Sequence, residues 1–187
     1  MSHGIIVFGA PGSGQTTVGR EAARRLDFPH FDLDDYHWRW DTEIPYTVFR
    51  SAEERTEHLL GDISGHPYFV MSGSMWSIRK AFEPMFTLAV FITASAEVRA
   101  KRICEREHAR WGYRILPGSD MHEAHATYRM HYLDRVLQYD NADASQFGLK
   151  QHEQWIATLP CPVLHIDGAI PVEENVKQIV AHYNLQN

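Results

Sequence analysis

Residues 4–17 read Gly4-Ile5-Ile6-Val7-Phe8-Gly9-Ala10-Pro11-Gly12-Ser13-Gly14-Gln15-Thr16-Thr17. Ile5 to Phe8 are apolar without alternation, which predicts a strand buried on both faces. Gly9–Gly14 cannot prolong it, because Gly9, Pro11, Gly12 and Gly14 break regular structure. A helix follows from about Gln15 to Leu26. Val18, Ala22 and Leu26 recur at four-residue spacing as its buried stripe, and Arg20, Arg24 and Arg25 lie off it. Working outward, His30–Leu33, Tyr68–Met71, Leu88–Thr93 and Val163–Ile166 read as further strands. Glu53–Leu60, Ala96–Arg110, Met121–Tyr139 and Val172–Tyr183 have helical spacing, and Trp155, Ile156 and Leu159 suggest helix packing. Strands alternating with helices predict an α/β fold: a five-stranded parallel sheet with helices on both faces. Gly112–Asp120 holds two glycines and a proline between helical stretches. It is the candidate for a small lid, over about 110–121. No repeat, low-complexity tract or long linker divides the chain, so residues 1–187 are expected to form one domain, with a substrate-binding segment at about 35–65.

Composition narrows the function. The chain has 187 residues, enough for a sizeable core, and 24 acidic against 18 basic side chains give a net charge of −6,. That balance argues against a nucleic-acid polymer as partner. No apolar run approaches a membrane span, and Met1-Ser2-His3-Gly4 lacks the basic stretch of a secretory signal. Cys104 and Cys161 stand far apart and suggest neither a disulfide framework nor a cysteine zinc site. A cytoplasmic setting is expected, as a monomer or homodimer. The 12 histidines read as composition. His122, His125 and His131 have no matching carboxylate or cysteine to complete a metal site.

Gly9-Ala10-Pro11-Gly12-Ser13-Gly14-Gln15-Thr16-Thr17 matches a phosphate-binding pattern of Gly, four residues, Gly, Lys, then Ser or Thr, except that Gln15 stands where lysine belongs. Phosphate binding does not require the lysine. Glycines let successive N–H groups turn inward as an anion nest, and the helix start adds unpaired donors and a positive dipole end. Thr16 offers a hydroxyl to a magnesium ion. A dinucleotide fingerprint would need a third glycine where Thr17 stands, although Asp32 or Asp34 suits a ribose-binding acid. A plain strand-to-helix turn is the remaining alternative. Gln15 can donate a hydrogen bond but carries no charge. Losing one preorganised electrostatic donor costs about 3–4 kcal/mol in other enzymes, or about two to three decades of rate.

With this loop the chain resembles the P-loop kinases of the nucleoside-monophosphate and shikimate kinase group. It is most similar to uncharacterised bacterial adenylate-kinase-like ATPases, whose lid reads much like Trp111–Met121. The resemblance spans most of the chain and implies ATP and Mg2+ as cofactors, with a nucleotide or another small molecule as phosphoryl acceptor. The cofactor-binding residues would be Gly9, Ala10, Pro11, Gly12, Ser13, Gly14, Gln15, Thr16, Thr17 and Arg102. In Phe31-Asp32-Leu33-Asp34 the resemblance gives Asp32 to the metal shell with Thr16, and Asp34 to the acceptor hydroxyl. Alternate strand residues share a side, so both acids can face one crevice; a strand end that caps the next segment is the plainer reading. In Arg102-Ile103-Cys104-Glu105-Arg106, one arginine would stack on adenine and the other reach the phosphates. Arg99, Arg102, Arg106 and Arg110 fall on one helical face, for which a solvated surface paired with Glu105 and Glu107 is the alternative. Arg114 in the lid is a candidate arginine finger, so Asp34, Arg106 and Arg114 form the expected catalytic set. Asp167-Gly168-Ala169-Ile170-Pro171 would line the adenine edge or make an ordinary turn.

The third strand ends Val70-Met71-Ser72-Gly73-Ser74, without the aspartate that adenylate kinases place there. This shifts the metal role to Asp32. The segment Tyr36–Phe49 contains Tyr36, His37, Trp38, Trp40, Tyr46 and Phe49, with Arg39, Arg50 and Arg55 nearby. A flat ring between aromatics with arginines on its phosphate fits this composition; core packing fits it as well. Arg50, Arg55 and Arg79 are the acceptor candidates, and Lys80 adjoins them.

Overall fold

The unbroken apolar run at Ile5–Phe8 becomes the central strand of the sheet. In the computed structural model, which describes residues 2–42, 48–75, 77–123, 126 and 136–185, β1 (His3–Gly9) pairs in parallel with β3 (Tyr68–Ser72) and β4 (Phe86–Thr93). β2 (His30–Asp32) lies outside β3, and β5 (Val163–Asp167) outside β4, so the order is β2-β3-β1-β4-β5. The five-stranded parallel sheet and its flanking helices agree with the fold read from the sequence.

Period-two alternation divides the core. Ile5 and Val7 pack with Val18 and Ala22 of α1 (Gln15–Leu26) and with Val176 and Ile179 of the C-terminal helix α7 (Val172–Asn184). Ile6 and Phe8 face the opposite layer, where Leu59 and Ile63 of α3 (Ala52–Ile63) and Trp155 of α6 (Leu149–Ile156) cover them. Ser51 accepts the Glu54 N–H and Glu54 accepts the Ser51 N–H, a reciprocal cap that starts α3,.

Two short helices departed from the sequence reading. The second strand ends at Asp32, not Leu33, because the Asp32 carboxylate accepts the Asp34 N–H at 3.2 Å and starts α2 (Leu33–His37),. Asp34 is therefore a helical residue, and strand alternation does not set its direction. α4 (Arg79–Phe82) is similarly short. α5 (Ala96–Trp111) is close to the predicted span and runs into a 3₁₀ turn at Gly112–Ile115. Most of the helix expected at Met121–Tyr139, with His125 and His131, lies outside the described residues, as does Tyr46. No helix among the described residues is long and apolar enough to cross a membrane.

Candidate active site

All strands point their carboxyl ends the same way, and the glycine loop after β1 and the acids Asp32 and Asp34 after β2 lie at those ends. Loop 9–14 leaves β1 with positive φ at Gly9 (157°), Gly12 (81°) and Gly14 (108°). A side chain is excluded at two of these positions by packing as well: a Cβ on Gly9 would lie 2.0 Å from the Ile92 carbonyl oxygen, and one on Gly12 would lie 2.8 Å from that of Arg99. The Ser13 N–H closes the turn on the Ala10 carbonyl at 3.1 Å. α1 then begins at Gly14 with no side-chain cap, so the donors of its first turn project from the helix end,. Thr16 is half-buried and Thr17 exposed at this end. Ser13 is fully buried, and its hydroxyl has no hydrogen-bond partner among the described residues.

Gln15 folds back over the loop. Its amide donates to the Gly9 and Ala10 carbonyls, each at 2.8 Å. A carboxamide has only two N–H donors, so both are used on the loop itself. Arg102 meets the loop from α5. It donates to the carbonyls of Gly168 (2.9 Å), Ser13 (3.3 Å) and Gly12 (3.5 Å). The Asp167-Gly168-Ala169 turn therefore touches the loop directly.

The acids follow the carboxyl end of β2, beside that of β3. Gly73, beyond β3, donates to the Val7 carbonyl of β1 at 3.0 Å, and its open face meets Leu33 of α2, so it joins the loop strand to the acidic segment. The Asp34 carboxyl is pushed up to about 6, first by desolvation and then by the charge of Asp32, while Arg106 and Arg110 oppose the rise. Its side chain is still 58% exposed, so the crevice is open to water and solvent screening softens the effect,. His37, 9% exposed, has Nδ1 at 4.0 Å from Asp34 Oδ1, too far for a hydrogen bond,. Burial, then the neighbouring Arg55 charge, lowers its pKa to about 4 and keeps it neutral.

The arginines separate along their elements. Arg99, which by spacing shares a helical face with Arg102, Arg106 and Arg110, is fully buried. It donates to the carbonyls of Ala94 and Val136, pairs with Asp140, and lies over the Tyr139 ring. The residues packed around it are distant in sequence, which is why spacing alone did not set it apart from the other three. Arg106 and Arg110 remain exposed near Asp34. Arg114 forms a salt bridge with Asp120 at 2.8 Å and reaches over Trp111. Arg50 donates to the Asp35 (3.0 Å) and Trp38 (2.9 Å) carbonyls and caps the end of α2. Arg55 is 9% exposed and has no ion pair among the described residues; its donors reach the Ser51 carbonyl (3.2 Å) and Ser77 Oγ (2.9 Å). Arg79 leans on Glu83, which also accepts from Trp155. Thr56, Ser77, Arg79 and Lys80 line a cleft of about 370 Å³ beside Arg55. Trp38 and Phe49 stack on each other with centroids 4.0 Å apart.

A glycine loop between the central strand and an uncapped helix, in a sheet of this order, defines the P-loop fold of the small kinases. No protein-family model matches the chain. The chain belongs to the same family as YqaC of Bacillus subtilis (strain 168), an uncharacterized protein that is 31% identical over 180 residues, covering 96% of this chain and 97% of that one. It is also 30% identical over 120 residues to the cytidylate kinase of Pyrobaculum calidifontis, a match that covers 55% of this chain and 60% of that enzyme. The shikimate kinase of Acinetobacter baumannii, solved in complex with shikimate, superposes with a TM-score of 0.56 at 15% identity, over 99% of this chain and 94% of that one. At that identity the likeness concerns the fold.

Proposed function

We propose that this protein binds ATP with Mg2+ and transfers the terminal phosphoryl group to a hydroxyl or phosphate of a small acceptor, at a rate held down by Gln15. The observation that carries this reading is the uncapped start of α1 beneath a loop of positive-φ glycines, with Asp32 and Asp34 across the same sheet edge. The buried, unpartnered Ser13 hydroxyl fits a cradle for a polyanion, and the close approach of Gly9 to Ile92 and of Gly12 to Arg99 seats the loop against β4 and α5,. The loop and the first-turn N–H groups would hold the phosphates. Thr16 and Asp32 supply the hydroxyl and carboxylate that would hold Mg2+, which offsets phosphate charge when bound.

Asp34 accepts the acceptor hydroxyl proton as that oxygen bonds to the terminal phosphorus. The bond from that phosphorus to the bridging oxygen breaks, and ADP leaves with the electron pair. Arg106 and Arg110 place positive charge near the reacting groups, and Arg114 would join them by leaving Asp120. Arg55, buried and without an ion pair among the described residues, favours an acceptor that carries a carboxylate or phosphate, seated toward the cleft at Ser77 and Lys80,. The acceptor segment (35–65) and the lid (110–121) would act as parts of one domain.

The engagement of both Gln15 donors within the loop favours a second reading, nucleotide binding without turnover. The two are separated by incubating the chain with Mg2+-ATP and a panel of hydroxy acids, sugars and nucleoside monophosphates. The kinase reading expects ADP and a phosphorylated acceptor, with Asp34→Asn slowing transfer by about 100-fold or more while ATP affinity stays unchanged. Equal loss of binding and transfer would contradict the role given to Asp34. Binding with no transfer to any acceptor, even after Gln15→Lys, would establish the second reading.

A further inference from the structure

We infer that Arg102 is the positioning residue of the phosphate loop, acting on the peptide groups and not on the adenine. This rests on the nucleotide-binding reading above but assigns Arg102 a different role from the one the family resemblance implies. The guanidinium bridges two segments far apart in sequence, with the carbonyls of Gly12 and Ser13 on one side and that of Gly168 on the other. A planar guanidinium is suited to this, since its fork spans several acceptors at once. In a trans peptide the C=O and the following N–H point in opposite directions. Turning the Ser13 carbonyl toward Arg102 therefore turns the Gly14 N–H the other way, toward the hollow of the loop. The same geometry at Gly12 directs the Ser13 N–H to the Ala10 carbonyl, the bond that closes the turn at 3.1 Å.

One glycine shows how closely the two clamped segments approach each other. A Cβ on Gly168 would lie 2.1 Å from the Ser13 carbonyl oxygen. Arg102 thus brings a permanent positive charge against the back of the loop. It also fixes which way the loop peptides face. Gln15 supplies no charge from the front, so this cation is the one held directly on the loop by the described contacts.

The test separates the phosphates from the base. Calorimetric titrations of the full chain with ATP, tripolyphosphate and adenosine are compared for wild type, Arg102→Ala and Arg102→Lys. The clamp predicts that Arg102→Ala weakens ATP and tripolyphosphate by the same factor, about 10- to 100-fold, on loss of charge-assisted hydrogen bonds. Millimolar methylguanidinium should restore much of the tripolyphosphate affinity, and methylammonium, of equal charge but without the fork, should not. Arg102→Lys keeps the charge and the stem, so the test survives if the alanine variant folds poorly. Its tripolyphosphate affinity should fall between the other two. Weakened ATP with unchanged tripolyphosphate would make Arg102 a base-stacking residue and overturn the clamp, as would unchanged affinity for both. A wild-type chain that takes up neither ligand would overturn the nucleotide reading, and the clamp with it.

Discussion

Replacing Gln15 by lysine should convert a weak phosphate site into a strong one. The Gln15 amide now holds the Gly9 and Ala10 carbonyls at 2.8 Å each. An ammonium has three donors, so it can keep one or both of those bonds and still direct a donor at the terminal phosphates. Loss of either bond costs about 1 kcal/mol. Against that, a unit charge about 4 Å from a phosphate oxygen gains about 4 kcal/mol at the effective dielectric of a protein surface. The balance is about 2–3 kcal/mol, or about 30- to 150-fold in ATP affinity. If the lysine follows charge onto the transferred group, the rate should rise by a further about two to three decades. Calorimetry with Mg2+-ATP and steady-state ADP release would separate the two effects as Kd and kcat. The melting temperature without nucleotide should hardly move. Unchanged or weaker ATP binding in a folded Gln15→Lys protein would show that the hollow in front of residue 15 does not hold phosphate.

Acid should destabilise the fold. His30, His37 and His152 are held neutral with pKa values lowered to about 4, in each case mainly by burial. Unfolded imidazoles titrate near about 6.5, so the unfolded chain binds more protons between the two values, and stability is lost as pH falls through that range. Asp34, raised to about 6, opposes this, since its proton is held more tightly in the fold. Urea midpoints should therefore fall from pH 7 to pH 5, and more steeply for Asp34→Asn; a flat profile in both proteins would contradict the burial assignments. If Asp34 is the base, transfer should also decline as pH drops below about 6,. Gly168→Ala must displace the Ser13 carbonyl, which would stand 2.1 Å from the new Cβ, and should cost about 1–3 kcal/mol of stability and weaken nucleotide binding together, as read by melting and titration,. Arg50→Ala releases the carbonyls that end α2; it should lower stability by about 1–2 kcal/mol and leave ATP affinity unchanged, whereas a lost acceptor KM without a melting shift would return Arg50 to the acceptor site,.

The strand–loop–helix at residues 3–26 was legible because its signals are local: an apolar run, glycines where φ must be positive, and a four-residue stripe. Asp32 and Asp34 were legible as a pair, but not in their geometry. A strand of three residues followed by a helix of five offers no period to read, and a cap formed by Asp32 decided the boundary,. The arginines of α5 show the same limit. Their spacing gives a shared face, yet Arg99 is enclosed by Val136, Tyr139 and Asp140, Arg102 meets Gly168, and Arg106 and Arg110 act on Asp34. Contacts between segments so distant along the chain leave no mark in local composition. The segment at Gly168 stayed open between an adenine edge and an ordinary turn for that reason, although its missing side chain is what lets β5 and the phosphate loop touch.

The most direct measurement is the amide spectrum of the labelled protein during titration with Mg2+-ADP. A phosphate held by the loop should give large downfield shifts and slowed exchange for the N–H groups of Gly14, Gln15, Thr16 and Thr17, saturating together. Binding that leaves these four signals in place, with its largest shifts elsewhere, would contradict this placement of the phosphate.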